Sequence, residues 1–131
     1  MAPDWIASAL DEFGRGLGLK TLALNDVDAV SLRFENGWRL RFEYAEESLN
    51  AMITMEVEQD EVMAKRILMA ANPETERPYP LRAGCLADSR EAIFAIRLPE
   101  REVTLVALET AFQELWSVAV GLMGKVFKVC Q

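Results

Sequence analysis

Residues 30–57 read VSLRFENGWRLRFEYAEESLNAMITMEV, and their alternation decides the fold. Val30, Leu32 and Phe34 share one side of a first strand, because successive strand residues point to opposite faces. Trp38, Leu40, Phe42 and Tyr44 do the same in a second strand, and Leu49, Ala51, Ile53, Met55 and Val57 in a third. The turns follow from these faces. A two-residue Asn36-Gly37 loop would set Phe34 opposite Arg39 and mix apolar with charged residues. A three-residue Glu35-Asn36-Gly37 loop pairs Phe34 with Trp38, Leu32 with Leu40 and Val30 with Phe42, and it puts Gly37 where a left-handed backbone is needed. A four-residue second turn, Ala45–Ser48, pairs Tyr44 with Leu49, Phe42 with Ala51 and Leu40 with Ile53. The outcome is a meander with one apolar face. Its other face carries Arg33, Arg39, Arg41, Asn50, Thr54, Glu56 and Met52. Arg33 falls directly opposite Arg39, and like charges so placed need compensation from Glu43, Glu56, solvent or acidic groups of a partner.

A helix precedes the meander, from Pro3 to Leu17. Pro3 suits the first turn, Asp4 favours its positive end, and Ile6, Leu10, Phe13 and Leu17 make one apolar stripe. Gly14, Gly16 and Gly18 erode and stop it. Trp5 lies about 100° from Ile6 around the axis, at the edge of that stripe, as core rim or exposed contact. Beyond the meander, Asp60–Ala71 reads as a second helix with Val62, Met63, Ile67 and Ala70 apolar, ended by Asn72-Pro73. Pro73, Pro78 and Pro80 keep the following connection extended. Two more strands are joined by a four-residue turn, Asp88–Glu91, which pairs Cys85 with Phe94, Ala83 with Ile96 and Leu81 with Leu98. Pro99 opens a last helix with Glu100 and Glu102 in its first turn. There Leu108, Phe112, Leu115, Ala119, Leu122 and Val126 form a stripe, with Val106, Trp116, Val118, Val120 and Met123 outside it. With no repeat or linker, residues 1–131 read as one α+β domain of order α-β-β-β-α-β-β-α, an antiparallel twisted sheet with helices packed on it.

Charge narrows the function. The chain has 14 Lys+Arg against 21 Asp+Glu and a net charge of -7. That balance disfavours nucleic acid, whose binders neutralise phosphates with cations, and it disfavours anionic membranes. Residues 103–124 are apolar and long enough to span a bilayer, but Glu109, Gln113 and Glu114 interrupt them, and each charge at the bilayer centre costs about 2.5–3.5 kcal/mol. A buried or interface helix is expected instead. The start Met1-Ala2-Pro3-Asp4-Trp5 has no basic or apolar run of a secretory signal, so the cytoplasm is expected.

No arrangement of residues points to catalysis, metal or cofactor. There is no histidine. Gly14-Arg15-Gly16-Leu17-Gly18 follows a helix rather than a strand and lacks the Lys-Ser/Thr of a phosphate loop. Glu56, Glu58, Asp60 and Glu61 read as a solvated face running into a helix N-terminus rather than as cation ligands. Cys85 reads as a small buried thiol in a strand, and Cys130, beside Lys125 and Lys128, as a free thiol near the terminus. The anomaly is apolar excess. The meander face, the first helix stripe, the second helix and a last helix that is apolar around much of its circumference exceed what one small sheet can cover, so a second copy, a protein partner or both should cover the remainder.

The element order, small size and acidic charge resemble the class I chaperones of bacterial type III secretion, the family of the Tir chaperone. The resemblance spans nearly the whole chain. It rests on the amphipathic helix Ile6–Leu17, the hairpin Val30–Tyr44 with its Glu35-Asn36-Gly37 turn, the Pro-rich connection, and the C-terminal helix through Leu122-Met123-Gly124. It implies a cytoplasmic homodimer, without enzyme activity or cofactor, that holds the N-terminal segment of one or more secreted effector proteins in extended form and hands it to the export ATPase. The first helix and meander would then supply effector contacts, with Trp5, Phe13, Leu32, Phe34 and Met52 as candidates. The second helix and following strand would supply the dimer contact, with Met63, Ile67 and Leu86. A rival of another class is an acidic immunity-type inhibitor that plugs a toxin. Scattered acids and surplus apolar surface favour the chaperone.

Overall fold

The structure, a computed structural model, describes residues 1–58, 60–72, 76–86 and 90–130, with side chains of the last helix described as far as Met123. In chain order the elements are α1 (Asp4–Gly16), β1 (Ala29–Arg33), β2 (Arg39–Ala45), β3 (Ser48–Glu56), α2 (Glu61–Ala70), β4 (Leu81–Leu86), β5 (Glu91–Pro99) and α3 (Leu105–Cys130), with one 3-10 turn at Glu100–Glu102. The sheet is antiparallel and ordered β1-β2-β3-β5-β4, so β1 and β4 are its two edges.

The meander has the register that alternation dictates. Val30 faces Phe42, Leu32 faces Leu40 and Arg33 faces Arg39, while Tyr44 faces Leu49 and Leu40 faces Ile53. Phe34 N–H donates to the Trp38 carbonyl at 2.8 Å, and Gly37 sits at φ 90°, which an L side chain resists. The second turn is tighter than expected. Ala45 still pairs with Ser48, leaving Glu46 and Glu47 alone at the tip with φ of 52° and 59°. That is the mirror-image turn whose twist suits a hairpin, made here without glycine.

All three helices lie on one side of the sheet. Leu40, Phe42, Leu49, Ala51, Ile53, Met55, Phe94, Ile96 and Leu98 are buried beneath them. α3 presents Leu108, Ala111, Leu115, Ala119 and Leu122 to this core, while Val106 and Val120 stay exposed on its far side. The segment Leu105–Met123 is long and apolar enough by composition to cross a membrane, but one stripe of it is the central helix of this core. α1 adds Ile6, Leu10 and Phe13. Its glycines divide the work: the chain stops where Gly18 and Leu19 N–H groups donate to the Arg15 and Gly14 carbonyls, whereas Gly14 permits close packing. A Cβ on Gly14 would lie 2.5 Å from Leu22 Cβ.

Three expectations need correction. β4 pairs with β5 two residues out of the expected register: Leu81 faces Ile96, Ala83 faces Phe94 and Cys85 faces Ala92. Half of the turn assigned to Asp88–Glu91 lies outside the described residues, as do Pro73 and the side chains of Val126 and Cys130. Cys85 is exposed rather than buried, since β4 is an edge strand and the thiol lies near its end. Finally, α3 begins at Leu105, not at Pro99, which closes β5. Val103 is extended and buried, and Thr104 Oγ1 caps the helix by accepting from Ala107 N–H at 3.1 Å.

Candidate functional site

Beside the β1 edge, six aromatic rings run from the core to the surface. Phe42 meets Phe13 edge-on at 5.6 Å, and Phe13 meets Phe112 at the same separation. Phe112 stacks on Phe34 at 6.0 Å, and Phe34 and Trp38 both contact Trp116, at 5.0 and 4.9 Å. The inner members, Phe42 and Phe13, are fully enclosed. Phe34, Phe112 and Trp116 are only half-buried and form an aromatic rim. Their positions follow from the sequence: Phe34 is held by the turn that Gly37 closes, and Phe112 and Trp116 are four residues apart on one face of α3.

Next to this rim, α1 and α3 leave a groove of about 280 Å³ lined by Phe13, Leu17, Leu105 and Phe112, with Glu12, Glu109 and Gln113 at its lip. Val30 and Leu32 of β1 are half-buried on the same side, and among the described residues no strand pairs with the outer edge of β1. The arrangement combines an apolar groove, aromatic faces and unpaired backbone donors and acceptors. Those are the features that hold an extended polypeptide by strand addition and side-chain pockets.

A second apolar surface lies at the opposite end of the sheet. α2 starts where the Asp60 carboxylate accepts from Met63 N–H at 2.7 Å, and it turns Met63 and Ile67 into the core. Its other side leaves Val62, Leu68 and Met69 exposed at 61%, 68% and 75%, and Leu86 of the β4 edge is exposed as well. Behind them Arg77 ties α2 to α3. One of its nitrogens donates to the Ala70 carbonyl at 2.7 Å and another to Glu114 at 3.0 Å, while its Nε is buried without a partner.

The residues singled out from sequence therefore separate. Leu32 and Phe34 are at the rim. Phe13 is 4% exposed and acts as the rim's buried support, so its ring offers a partner almost no surface. Trp5 is half exposed at the far end of α1, its indole N–H donating to the Glu100 carbonyl at 2.9 Å. Met52 stands on the opposite face of the sheet, in line with Arg41 and Ala95. Met63 and Ile67 are buried in the protomer's own core, whereas Leu86 is exposed. Trp116, Leu105, Val62, Leu68 and Met69 were not singled out as contacts. For the rim, the four-residue spacing of Phe112 and Trp116 was the available signal.

Among the described residues no group of His, Cys, Asp and Glu is placed to hold a metal ion. Tyr44 is held clearly away from its ordinary titration range. Its hydroxyl donates to the Glu100 carboxylate, and that bond, partial burial and nearby carboxylates push its pKa up to about 12.

The profile of the family described as type III secretory system chaperone SycN matches residues 5–122. No functionally curated protein matches the chain. Among solved structures, a chain of the ExsC–ExsE complex superimposes with a TM-score of 0.73 at 16% identity, covering 89% of this chain and 90% of that one. A chain of the complex between the Yersinia pestis type III secretion chaperone SycH and a stable fragment of YscM2 gives 0.69 at 19%, covering 89% and 98%. The HopA1–SchA chaperone–effector complex gives 0.65 at 18%, covering 92% and 91%. At these identities the superpositions establish the fold. The profile covers most of the chain and establishes the family.

Proposed function

The chain belongs to the SycN family of type III secretory system chaperones, and from that membership we propose that it binds the N-terminal segment of one or more secreted effector proteins in extended form and keeps it secretion-competent. The matching profile is that of SycN, and nothing in it singles out the Tir chaperone. The observation that carries the reading is the half-buried rim of Phe34, Phe112 and Trp116, continuous with the α1–α3 groove and beside the open β1 edge. Unfolded effector backbone would pair with β1 while its apolar side chains enter the groove. Leu32 and Phe34 keep the contact role assigned to them, and Trp116 and Leu105 join them. Complexes of similarly folded chains with ExsE, with a YscM2 fragment and with the effector HopA1 support this use of the fold.

The protein works as a cytoplasmic homodimer in this reading. Val62, Leu68 and Met69 of α2 with Leu86 of the β4 edge supply the contact between copies, and the loaded effector passes to the export ATPase. The chaperone contributes no catalytic group.

The test is titration calorimetry with N-terminal fragments of effectors encoded near its gene. Phe34→Asp combined with Trp116→Ala should weaken binding by about tenfold or more, since central aromatic anchors dominate such interfaces. Capture of only folded partners would reject the extended-segment reading. For the dimer, light scattering should show the wild type as two copies and Leu68→Asp with Met69→Asp as one. A monomeric wild type at working concentrations overturns that half.

A further inference from the structure

The face of the sheet turned away from the helices has a charge unlike the rest of the molecule. Arg33 of β1, Arg39 and Arg41 of β2, Arg82 of β4 and Arg97 of β5 all point from it, against Glu43, Glu56 and Glu91. Five arginines thus face three glutamates on a chain whose total is 14 cations against 21 acids. The arginines are not all neutralised within the fold. Arg39 pairs with Glu91, Arg41 pairs with Glu43 at 3.0 Å, and Arg97 donates to the Ser48 hydroxyl at 2.8 Å. Arg33 and Arg82 are exposed, and among the described residues neither has an ion-pair partner. Arg33 is moreover held directly across from Arg39, an arrangement that opposes folding.

Between these cations runs a lane of half-buried apolar side chains. Met52, Ala95 and Ile93 occupy it, and Gly84 on β4 leaves the Ile93 methyl uncovered, since a Cβ there would reach it at 3.6 Å. Arg41, Met52, Ala95 and Arg82 line up across four strands, so the apolar lane has a cation at each end. Arg39 and Arg41 are two residues apart on one strand, about 6.6–6.8 Å, which is also the spacing of alternate side chains in any extended peptide.

We propose that this open face is a second docking surface, taking an extended segment of a partner protein whose inward side chains alternate between carboxylates and apolar groups. Charge complementarity selects that occupant. Arg33 and Arg82 would gain the acidic partners the fold does not give them, Arg39 and Arg41 would gain a bidentate carboxylate each can share, and the lane would lose water. The surface lies on the other side of the sheet from the effector groove, so its occupation is independent of that site. Nucleic acid is the poorer fit, because a molecule this acidic repels a long polyanion everywhere else.

The experiment measures anisotropy of a fluorescein-labelled peptide that repeats Glu-Ser-Leu-Ser. Wild type should bind it, more weakly as salt rises, and should not bind the corresponding Lys-Ser-Leu-Ser repeat. Arg33→Glu with Arg82→Glu should weaken binding by about tenfold or more with a melting temperature that does not fall, since Arg33→Glu also relieves the repulsion with Arg39, and Phe34→Asp should leave binding unaltered. Any of three binding results overturns the proposal: no binding by wild type, equal loss on Phe34→Asp (the peptide is then in the effector groove), or equally tight binding of an oligonucleotide of matching charge. Self-association that vanishes in the double variant would also overturn it, by assigning the face to a second copy.

Discussion

The two ends of the sheet handle apolar surface in opposite ways. At the β1 end, α1 and α3 close over the meander, and what remains outside is a graded aromatic rim with a buried foundation in Phe13 and Phe42. At the β4 end, α2 is thin cover: two side chains point in, while Val62, Leu68 and Met69 stand in solvent, and Leu86 is exposed on the other face of the sheet, across from Glu91. A half-buried rim costs little to leave open and suits a ligand that comes and goes. Fully exposed aliphatic groups clustered at one end call for a lasting neighbour. In the proposed reading, the contrast suits a transient client at one end and a second copy of the chain at the other.

The largest expected effect breaks the β1 end. Phe13→Ala removes a ring that is 4% exposed and lies against two others, so chemical denaturation should show a loss of about 3–5 kcal/mol. The rim should loosen with it, weakening effector binding although Phe13 itself offers almost no surface. A stability loss below about 1 kcal/mol would mean that the groove collapses to fill the space, and that the rim does not depend on its base.

The next effect breaks the other end. Arg77→Ala removes the bonds to the Ala70 carbonyl and to Glu114; the Arg77 and Glu114 side chains are 16% and 28% exposed. Hydrogen bonds involving charged groups contribute about 1.5–3 kcal/mol, but here the loss should be nearer 1–2, because deleting Arg77 also removes a buried Nε that has no partner. Arg77→Lys should recover only part of it, since an ammonium cannot span both acceptors in the fork geometry. Dimer dissociation measured by sedimentation should rise in parallel, as α2 loses its tie to α3. If stability falls while dimer affinity holds, α2 is not the contact between copies.

The unequal legibility of the two ends has the same physical root. In the meander, large apolar residues alternate with charges on both sides of a turn marked by Gly37, and a one-residue slip would turn every side chain to the wrong face. Register was therefore fixed by sequence. In β4 the inward residues are Leu81, Ala83 and Cys85, mostly small, and a two-residue slip keeps all of them inward. Alternation cannot detect such a slip, and no glycine between the strands pinned the position of the turn. Pro99 looked like a helix start because it also fits the first turn, whereas the Thr104 cap decides where α3 begins. The apolar excess was legible as a quantity, but not its distribution. Helical periodicity names a stripe, and only the docking of α2 through Met63 and Ile67 shows that the outward face is Val62, Leu68 and Met69.

The smallest expected effect sharpens the comparison, because each end is closed by a different kind of polar clip. At the β1 end Glu100 accepts from the Tyr44 hydroxyl, and its carbonyl accepts from the Trp5 indole. At the β4 end the clip is Arg77, whose guanidinium joins the Ala70 carbonyl to Glu114. Tyr44 is pushed up to about 12, first by its bond to Glu100, while an unfolded tyrosine titrates near about 10. A raised acid stabilises the fold in its neutral form, so that contribution is complete below about pH 10 and disappears as pH climbs toward about 12. Melting temperature should accordingly fall faster for wild type than for Tyr44→Phe across that window, with Tyr44→Phe slightly less stable at neutral pH and the two curves meeting at its alkaline end. Trp5 fluorescence should change within the same interval as its anchor on Glu100 loosens. Parallel curves for the two proteins would show that the clip is ornamental to the β1 end, leaving the aromatic rim to hold it alone.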